Sequence, residues 1–339
     1  MSRKNIAVLI AMLLLGGGIF AYELRHVQLT QLLKMFHQLN FWWLGLAAGC
    51  MGLYWLMEAF VVKLMLKGRV VHFSFKNAIR IPLVEQLFNS LTPFSSGGQP
   101  AQLVALMQSG IDGGRASSLL LMKFIVFQTM VLVNFILTLI FGFELVATKF
   151  TYLAWLVVFG FVMHLATISA LLMIMYWYKL TKNLVRWVMH PLYWFFNQQR
   201  VQRWETSLNH KIDNFYRESL RIKKQGKMLF EASILTFIQL LFYYSVPYFV
   251  LLALGLRPDF ITVLVLHIMI VMIISLFPVP GGSGGAEVSF RALFATFTAT
   301  NSKLVLAMLL WRLLTYYLGM FVGMFALVIK PDKVEELRE

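Results

Sequence analysis

Long apolar segments alternate with short polar segments along most of the chain. Six apolar segments reach the roughly 20 residues that an α-helix needs to cross a bilayer. They lie at residues 6–22, 41–62, 117–143, 152–178, 228–254 and 303–329. The pattern predicts an all-α integral membrane protein, with about six transmembrane helices in one polytopic domain over residues 1–339.

Two further apolar segments, residues 81–108 and 261–300, are interrupted by proline and glycine. The interruptions read T-P-F-S-S-G-G-Q-P at 92–100 and P-V-P-G-G-S-G-G-A-E at 278–287. Prolines and glycines of this density stop a helix, which leaves half-helices of about 15 Å, roughly half of a hydrocarbon core. Irregular backbone at membrane depth persists only where protein or a water-filled cavity surrounds it. We therefore predict two re-entrant helical hairpins, each with a candidate site at its tip.

Charge gives an independent prediction of topology, because Lys and Arg concentrate in cytoplasmic loops. With six spans and two hairpins, 22 of the 30 lysines and arginines lie on the side of the N- and C-termini and only five on the other. Both termini are then cytoplasmic, and the first hairpin enters from the cytoplasm while the second enters from outside. Two broken segments of opposite orientation are typical of inverted-repeat transporters. The alternative is that each interruption is a tight loop in an ordinary helical bundle.

Composition agrees with a membrane location, since 59% of residues are hydrophobic, 13% are charged and the mean hydropathy is +0.73. The net charge of +15 indicates contact with an anionic inner leaflet rather than with nucleic acid. Residues 179–227 form a basic loop, in which Trp204, Leu208 and Ile212 recur at helical spacing. This spacing predicts an amphipathic helix on the membrane surface, with a solvated connecting helix as the alternative.

Ionisable residues at membrane depth are candidates for function, because a buried charge costs at least about 2.5 kcal/mol there. Glu58, Lys123 and Glu231 lie within about two turns of the predicted cytoplasmic ends, so we expect them to extend to the membrane surface. Glu85 and Arg312 lie deeper. Glu287 falls in the first turn of the second half-helix, where a carboxylate is favoured. Arg312 needs an anion: Glu287 is its natural protein partner, and a lipid phosphate held at the half-helix starts is the functional alternative, which we favour.

The helix starts at the two interruptions would also present backbone amides to an anion such as a lipid phosphate. Gln99 is expected to match Glu287, as an N-cap or through a capping box with Ser96. Signatures of catalytic, metal and cofactor sites are not apparent in the sequence, and we expect no cofactor. The candidate lipid-binding residues are Glu85, Ser95, Ser96, Gly97, Gly98, Gln99, Gly281, Gly282, Ser283, Gly284, Glu287 and Arg312.

The two interruptions resemble motifs of a known family, the membrane domain of bacterial lysylphosphatidylglycerol synthase/flippases of the multiple peptide resistance factor type. Residues 92–100 are similar to its T-P-F-x-x-G-G-E-P motif, and residues 278–287 to its P-x-P-G-G-x-G-x-x-E motif. Gln99 replaces the acidic residue of the first motif, and Gln102 replaces a frequent basic residue. Full-length family members carry a C-terminal synthase domain, whereas Glu339 follows the last predicted span closely.

The resemblance therefore implies the flippase part, which moves aminoacylated or other polar-headgroup lipids between leaflets of the bacterial cell membrane. Two alternatives are a phosphatidylglycerol lysyltransferase, and a partner protein that recruits a lipid-modifying enzyme without transporting lipid. A homo-oligomer is an open expectation.

Overall fold

The computed structural model describes residues 35–149, 151–195, 197–222 and 225–334. Over these ranges the regular structure is helical, and the only β-type pairing is an isolated bridge between Lys67 and Val70. The helices are α1 (Phe41–Leu66), α2 (Phe75–Leu91), α3 (Gly98–Gln108), α4 (Gly113–Lys149), α5 (Thr151–Tyr176), α6 (Tyr178–Met189), α7 (Leu192–Phe195), α8 (Gln198–Ile222), α9 (Gly226–Ala253), α10 (Phe260–Ile274), α11 (Gly285–Phe294), α12 (Asn301–Arg312) and α13 (Leu318–Val328).

Within the described ranges, five helical segments are long and apolar enough to cross a bilayer, which confirms the predicted all-α membrane protein. They lie in α1, α4, α5, α9 and the continuous segment from α12 to α13. The helix predicted at residues 6–22 lies outside the described residues. Large apolar side chains face outward on α5, including Trp155 and Phe159, as expected for a surface that meets lipid.

Side-chain caps fix where several helices begin. The Asn40 side chain accepts a hydrogen bond from the backbone of Trp42 (3.1 Å) at the start of α1, and Ser74 accepts one from Asn77 (3.2 Å) at the start of α2. At the start of α10, Asp259 accepts a hydrogen bond from the Thr262 backbone at 2.7 Å. Each cap satisfies an amide that has no partner within its own helix.

The helical body has two ends that differ in charge. At the basic end, defined here by Arg69 and Arg115, the Arg69 guanidinium donates to Gln225 ahead of α9 and the Arg115 guanidinium donates to the Arg69 carbonyl. At the opposite end the Asn40 amide, ahead of α1, donates to the carbonyl of Ala253, the last residue of α9 (3.0 Å). These contacts place the end of α1 and the starts of α4 and α9 together at the basic end.

Helices α2 and α3 form a first hairpin, and α10 and α11 form a second. Both ends of the first hairpin lie at the basic end, because short loops join the end of α1 to α2 and the end of α3 to α4. The second hairpin starts beside the end of α9, where the rings of Tyr248 and Phe260 are 5.0 Å apart, and ends where Arg291 donates to Asn301. The two hairpins thus enter the body from opposite ends, and their tips are in contact.

The chain after α13 forms what we call the C-terminal strap, residues 330–334. Asp332 accepts hydrogen bonds from the side chains of Ser74 (2.7 Å) and Lys76 (2.8 Å), and its backbone exchanges two further hydrogen bonds with the Asn77 side chain. The amide of Val334 donates to the carbonyl of Ser109 (2.9 Å), just after α3. The strap therefore joins the two ends of the first hairpin to the end of the last helix.

The predicted basic loop at 179–227 folds into the helices α6 to α8, which pack on each other. The rings of Tyr178 and Tyr216 stack at 4.4 Å, and Lys182 pairs with Asp213 at 2.6 Å. On α8, Trp204 is half-exposed but Ile212 is buried, so the predicted apolar stripe of this helix does not face outward as a whole. The continuous exposed apolar face is on α6, which the sequence reading missed; it comprises Leu180, Leu184, Trp187 and Val188.

Candidate functional site

The two hairpin tips have the same backbone register. Pro93–Ser95 and Pro280–Gly282 each form a single 3-10 turn that starts at proline, and the half-helices then begin at Gly98 and Gly285. Counting from these helix starts, Glu287 corresponds to Pro100, whereas Gln99 corresponds to Ala286. The expected match between Gln99 and Glu287 is therefore wrong by one residue, because the helix starts and not the motif letters set the register.

Three amides at the helix starts are bound by acceptors from the protein itself. Gly97 donates to the Thr92 hydroxyl (2.8 Å) and Gly98 to the Asn89 side chain (3.0 Å). At the second tip the amide of Gly284 donates to the Glu287 carboxylate at 2.6 Å. These three amides are therefore not free to hold an anion. The expected capping box of Ser96 with Gln99 is wrong, because the N-cap residue of α3 is Gly97.

Arg312 extends from the last crossing segment into the space between the two tips. Its Nε donates to the Glu287 carboxylate at 2.7 Å and its Nη1 to the Gly281 carbonyl at 2.8 Å. The side chain is buried, and its Nη2 has no hydrogen-bond partner among the described residues. The guanidinium also packs against the rings of Trp311 and Tyr316. The guanidinium thus keeps donor capacity that the described residues do not use.

A five-residue π-helical turn, Leu313–Tyr317, follows Arg312 and separates α12 from α13. Such turns place extra backbone carbonyls outside the regular helical pattern, and they are frequent at functional sites. Here the Thr315 carbonyl accepts a hydrogen bond from the Gln86 side chain at 3.4 Å. The Tyr316 hydroxyl donates to the Ser90 carbonyl at 2.8 Å. The π turn therefore connects the last helix to the first hairpin.

A cavity of about 450 Å³ lies beside the Arg312 side chain, between the two tips and helices α1, α4, α5 and α9. Its size is within the range of small-ligand sites. The lining mixes amides and hydroxyls with aromatic rings, and includes Tyr54, Gln86, Asn89, Ser90, Gln128, Thr167, Tyr243, Ser275 and Tyr316. Phe94 and Met163 also line it, and they are 61% and 49% exposed. The cavity is therefore open on the side of these two residues.

A second set of ionisable residues is buried next to this cavity, on the side of the basic end. The Lys123 ammonium donates to the Glu58 carboxylate and, at 2.6 Å, to the Glu85 carboxylate. The Gln102 side chain donates to both carboxylates, and Gln239 donates to Glu58 at 3.2 Å. Glu58 and Lys123 are 4% and 6% exposed. The expectation that they extend to the membrane surface is therefore wrong, because each finds its partner on a neighbouring helix.

Residues 6–323 match a family described as the lysylphosphatidylglycerol synthase TM region. The chain belongs to this family. A "UPF0104 membrane protein" of Archaeoglobus fulgidus is 26% identical over 278 residues, which cover 80% of this chain and 81% of that protein. The family match covers both hairpins and four of the crossing segments, and it ends at residue 323, within α13 of the fifth.

The structure brings only some of the predicted site residues to the cavity. The cavity is lined by Ser95, Gly281, Gly282 and Arg312. Glu287 does not line it but accepts a hydrogen bond from Arg312. Glu85 belongs to the second buried set, with Glu58 and Lys123. The remaining predicted residues stand at the tips without lining the cavity, namely Ser96, Gly97, Gly98, Gln99, Ser283 and Gly284. The small size of Gly98 has a packing role, since a Cβ at this position would overlap the Asn89 side chain.

The sequence did not reveal the polar residues that line the cavity from helices that look uniformly apolar. Examples are Tyr54, Gln128 and Tyr243. Gln86 and Asn89 had a usable signal, because they follow Glu85 in one turn of a half-helix at membrane depth. His267 accepts a hydrogen bond from the Trp311 indole at 3.1 Å, and its other ring nitrogen meets the Tyr244 carbonyl.

Proposed function

We propose that this protein moves a phospholipid with a polar, aminoacylated or otherwise modified headgroup between the leaflets of a bacterial cell membrane. The headgroup enters the cavity between the two hairpin tips while the acyl chains stay in the surrounding lipid. The observation that carries the proposal is the buried guanidinium of Arg312, a residue that lines this cavity and whose Nη2 has no hydrogen-bond partner among the described residues.

A phosphodiester is the anion that best suits this guanidinium. Glu287 and the Gly281 carbonyl already bind Nε and Nη1, so they fix the plane of the guanidinium and leave Nη2 for the ligand. A charge-assisted hydrogen bond to phosphate is stronger than one between neutral groups. Because Glu287 neutralises Arg312 when the cavity has no anion, the empty site remains tolerable in a low-dielectric environment.

The shape of the cavity also suits a lipid rather than a small soluble ligand. One side is open at Phe94 and Met163, whose apolar side chains are exposed, while the amides and hydroxyls face the interior of the cavity. An acyl chain can leave through the apolar side as the headgroup remains among polar groups. The opposite entry of the two hairpins is typical of transporters in which a central site is reached alternately from each side.

The family description names lysylphosphatidylglycerol, and this lipid carries both a phosphate and cationic amino groups. Arg312 supplies the cation for the phosphate. The amides and phenols of Gln86, Asn89, Tyr54 and Tyr243 supply acceptors for amino groups. An aminoacylated phosphatidylglycerol is accordingly a suitable substrate class, with phosphatidylglycerol itself as the simplest probe.

Arg312→Lys tests the proposal, because lysine keeps the charge but loses the planar fork. The purified variant is reconstituted in vesicles that contain a fluorescent phosphatidylglycerol, and movement between leaflets is followed by dithionite quenching. Loss of a charged hydrogen bond of about 1.5–3 kcal/mol predicts transport slower by about tenfold or more, with the melting temperature largely retained. Arg257→Lys, at an exposed arginine, is the matched control and should transport as the wild type does.

A purely structural ion pair would give a different result. Arg312→Met should then lower thermal stability, because it leaves Glu287 buried and unpaired, and combination with Glu287→Gln should restore both stability and transport. Restored transport in this double variant would contradict a headgroup role for Arg312. The proposal expects stability to recover in the double variant while transport stays low.

A further inference from the structure

Glu58, Glu85 and Lys123, together with Gln239 whose side chain donates to Glu58, form a charged layer directly below the lipid cavity. Four helices each carry a cavity-lining residue and, one turn away on the same face, a member of this layer. The pairs are Tyr54 with Glu58 on α1, Asn89 with Glu85 on α2, Phe127 with Lys123 on α4, and Tyr243 with Gln239 on α9. On every one of these helices the layer residue is nearer the basic end. The layer therefore lies between the cavity and the basic end of the body.

The layer contains one more carboxylate than cation. Lys123 is the only cation that contacts Glu58 or Glu85 in the described residues. Arg80, further toward the basic end, donates instead to the carbonyls of Ala105 and Ala326 and to the side chain of Gln108. With both carboxylates ionised, the layer would hold an uncompensated negative charge in a low-dielectric environment, which is strongly unfavourable.

The amide groups around the carboxylates point to a proton rather than to a metal ion as the compensating charge. Gln102 and Gln239 direct their NH₂ groups at the carboxylates, and donors of this kind together with the Lys123 ammonium would repel a second cation. Gln102 is fully buried, and its Oε1 has no partner among the described residues. This oxygen can accept a hydrogen bond from the O–H group of a protonated carboxyl.

We propose that Glu58, Glu85 and Lys123 form a proton-binding site that couples proton movement across the membrane to movement of the lipid in the cavity above. The coupling rests on the proposed function, whereas the proton site does not. A proton from water binds to a carboxylate oxygen of the Glu58–Glu85 pair, which shares it, and Lys123 stays protonated throughout. The proton and the headgroup occupy adjacent layers of four shared helices, so a change in packing around one reaches the other.

Other titratable groups face the layer or its cavity and must be distinguished from it. The phenols of Tyr54 and Tyr243 lie one turn above, with ring centroids 5.5 Å apart. Arg312 is paired with Glu287 on the other side of the cavity. His164 lines the cavity from α5, and a histidine titrates near neutral pH, so it is the strongest rival as a source of pH dependence.

Infrared spectroscopy of the purified protein tests the proton site without any need for transport. Wild type should show a C=O stretch of a buried protonated carboxyl group that shifts in D₂O. This band should disappear in the double variant Glu58→Gln with Glu85→Gln and remain in Glu231→Gln, which removes a partly exposed carboxyl on α9. A band that survives in the double variant, or that is missing from wild type, would overturn the proton site.

Vesicles with fluorescent phosphatidylglycerol and an imposed pH gradient, at clamped membrane voltage, test the coupling. If one proton moves with each lipid, one pH unit shifts the leaflet distribution by up to about tenfold. Glu58→Gln leaves a neutral Glu85–Lys123 pair and should remove this dependence, while Glu231→Gln keeps it. The coupling is refuted if wild type ignores the gradient, or if His164→Gln and not Glu58→Gln abolishes the response. If wild type moves no lipid under any gradient, the proposed function fails, and the infrared band still decides the proton site.

Discussion

Gly281 illustrates how a single residue sets the shape of the cavity. Its φ of 62° lies in the left-handed region, and a Cβ at this position would overlap the ring of Tyr316. Tyr316 in turn donates to the Ser90 carbonyl of the first hairpin. Glycine therefore permits both the turn and the close contact between the second tip and the last helix.

Gly281→Ala should lower the free energy of unfolding by about 1–3 kcal/mol, because alanine is strained at this φ and displaces the Tyr316 ring. Thermal melts in detergent measure the change, and the dithionite assay should show slower transport. Gly45→Ala is the control, since a Cβ there meets nothing within 4 Å and alanine favours a helix by up to about 1 kcal/mol. Equal stability of the two variants would show that the tip tolerates a side chain.

The deep charged residues show how far single positions can be interpreted from the sequence. The position of Glu287 in the first turn of a half-helix, next to the segment of Arg312, was enough to name it as the protein partner of Arg312. Lys123 could not be understood in this way, because its two partners are 65 and 38 residues away along the chain. Distance from a predicted helix end indicates access to the surface only if the side chain faces outward, and helical facing is not visible in a uniformly apolar segment.

At the scale of elements, the strap and the first hairpin form a polar junction at the basic end. Hydrogen bonds from the side chains of Lys76 and Ser74 hold the pKa of Asp332 below its usual value. A carboxyl with a depressed pKa adds stability above its unfolded pKa of about 3.8, and this stability is lost as the pH falls through the folded-state pKa. The junction is therefore fully formed at neutral pH and weakens in acid.

Asp332→Asn removes the charge while keeping a similar shape, and it should loosen the start of α2. Hydrogen–deuterium exchange at neutral pH should be faster for the amides that follow Ser74, with little change in α9. Asp259→Asn is the matched control, because Asp259 caps α10 at the opposite end and should leave α2 unaffected. If exchange in α2 responds equally to both variants, the strap does not hold the hairpin.

Element boundaries were predicted best where the sequence contains a stop signal. The Pro/Gly interruptions gave the positions of both tips, and the five long apolar segments matched helices to within a few residues. The first hairpin starts at Phe75 rather than at residue 81 because Ser74 caps it within a polar stretch. The contact between the tips and the resulting cavity could not be predicted, since they depend on how distant helices pack.

At the scale of the whole molecule, the two ends of the body predict a topology that labelling can check. Asn209 and Asp332 should be on the cytoplasmic side and Gly255 on the other, because 22 of the 30 basic residues belong to the first side. Single cysteines at these positions are introduced in a Cys50→Ala background, since Cys50 is the one cysteine in the sequence. A membrane-impermeant maleimide applied to intact cells should react at residue 255 alone.

Labelling of residue 209 or 332 in intact cells would reverse the orientation of the body and the direction from which each hairpin enters. Labelling of all three only after the membrane is opened would instead show that residue 255 is not accessible from outside. The first result would leave the proton layer facing the outside of the cell.

The two tips share a register but not a composition, and this gives them unequal conformational energies. Phe94 and Ser95 hold φ values of 52° without being glycine, whereas Gly281 and Gly282 occupy the matching positions at 62°. A non-glycine residue in this region stores about 1–3 kcal/mol, so relaxation of the first tip gains free energy that relaxation of the second does not. Even about 1.4 kcal/mol changes a two-state population ratio tenfold. In the transport cycle proposed above, this difference favours movement of the first hairpin over movement of the second.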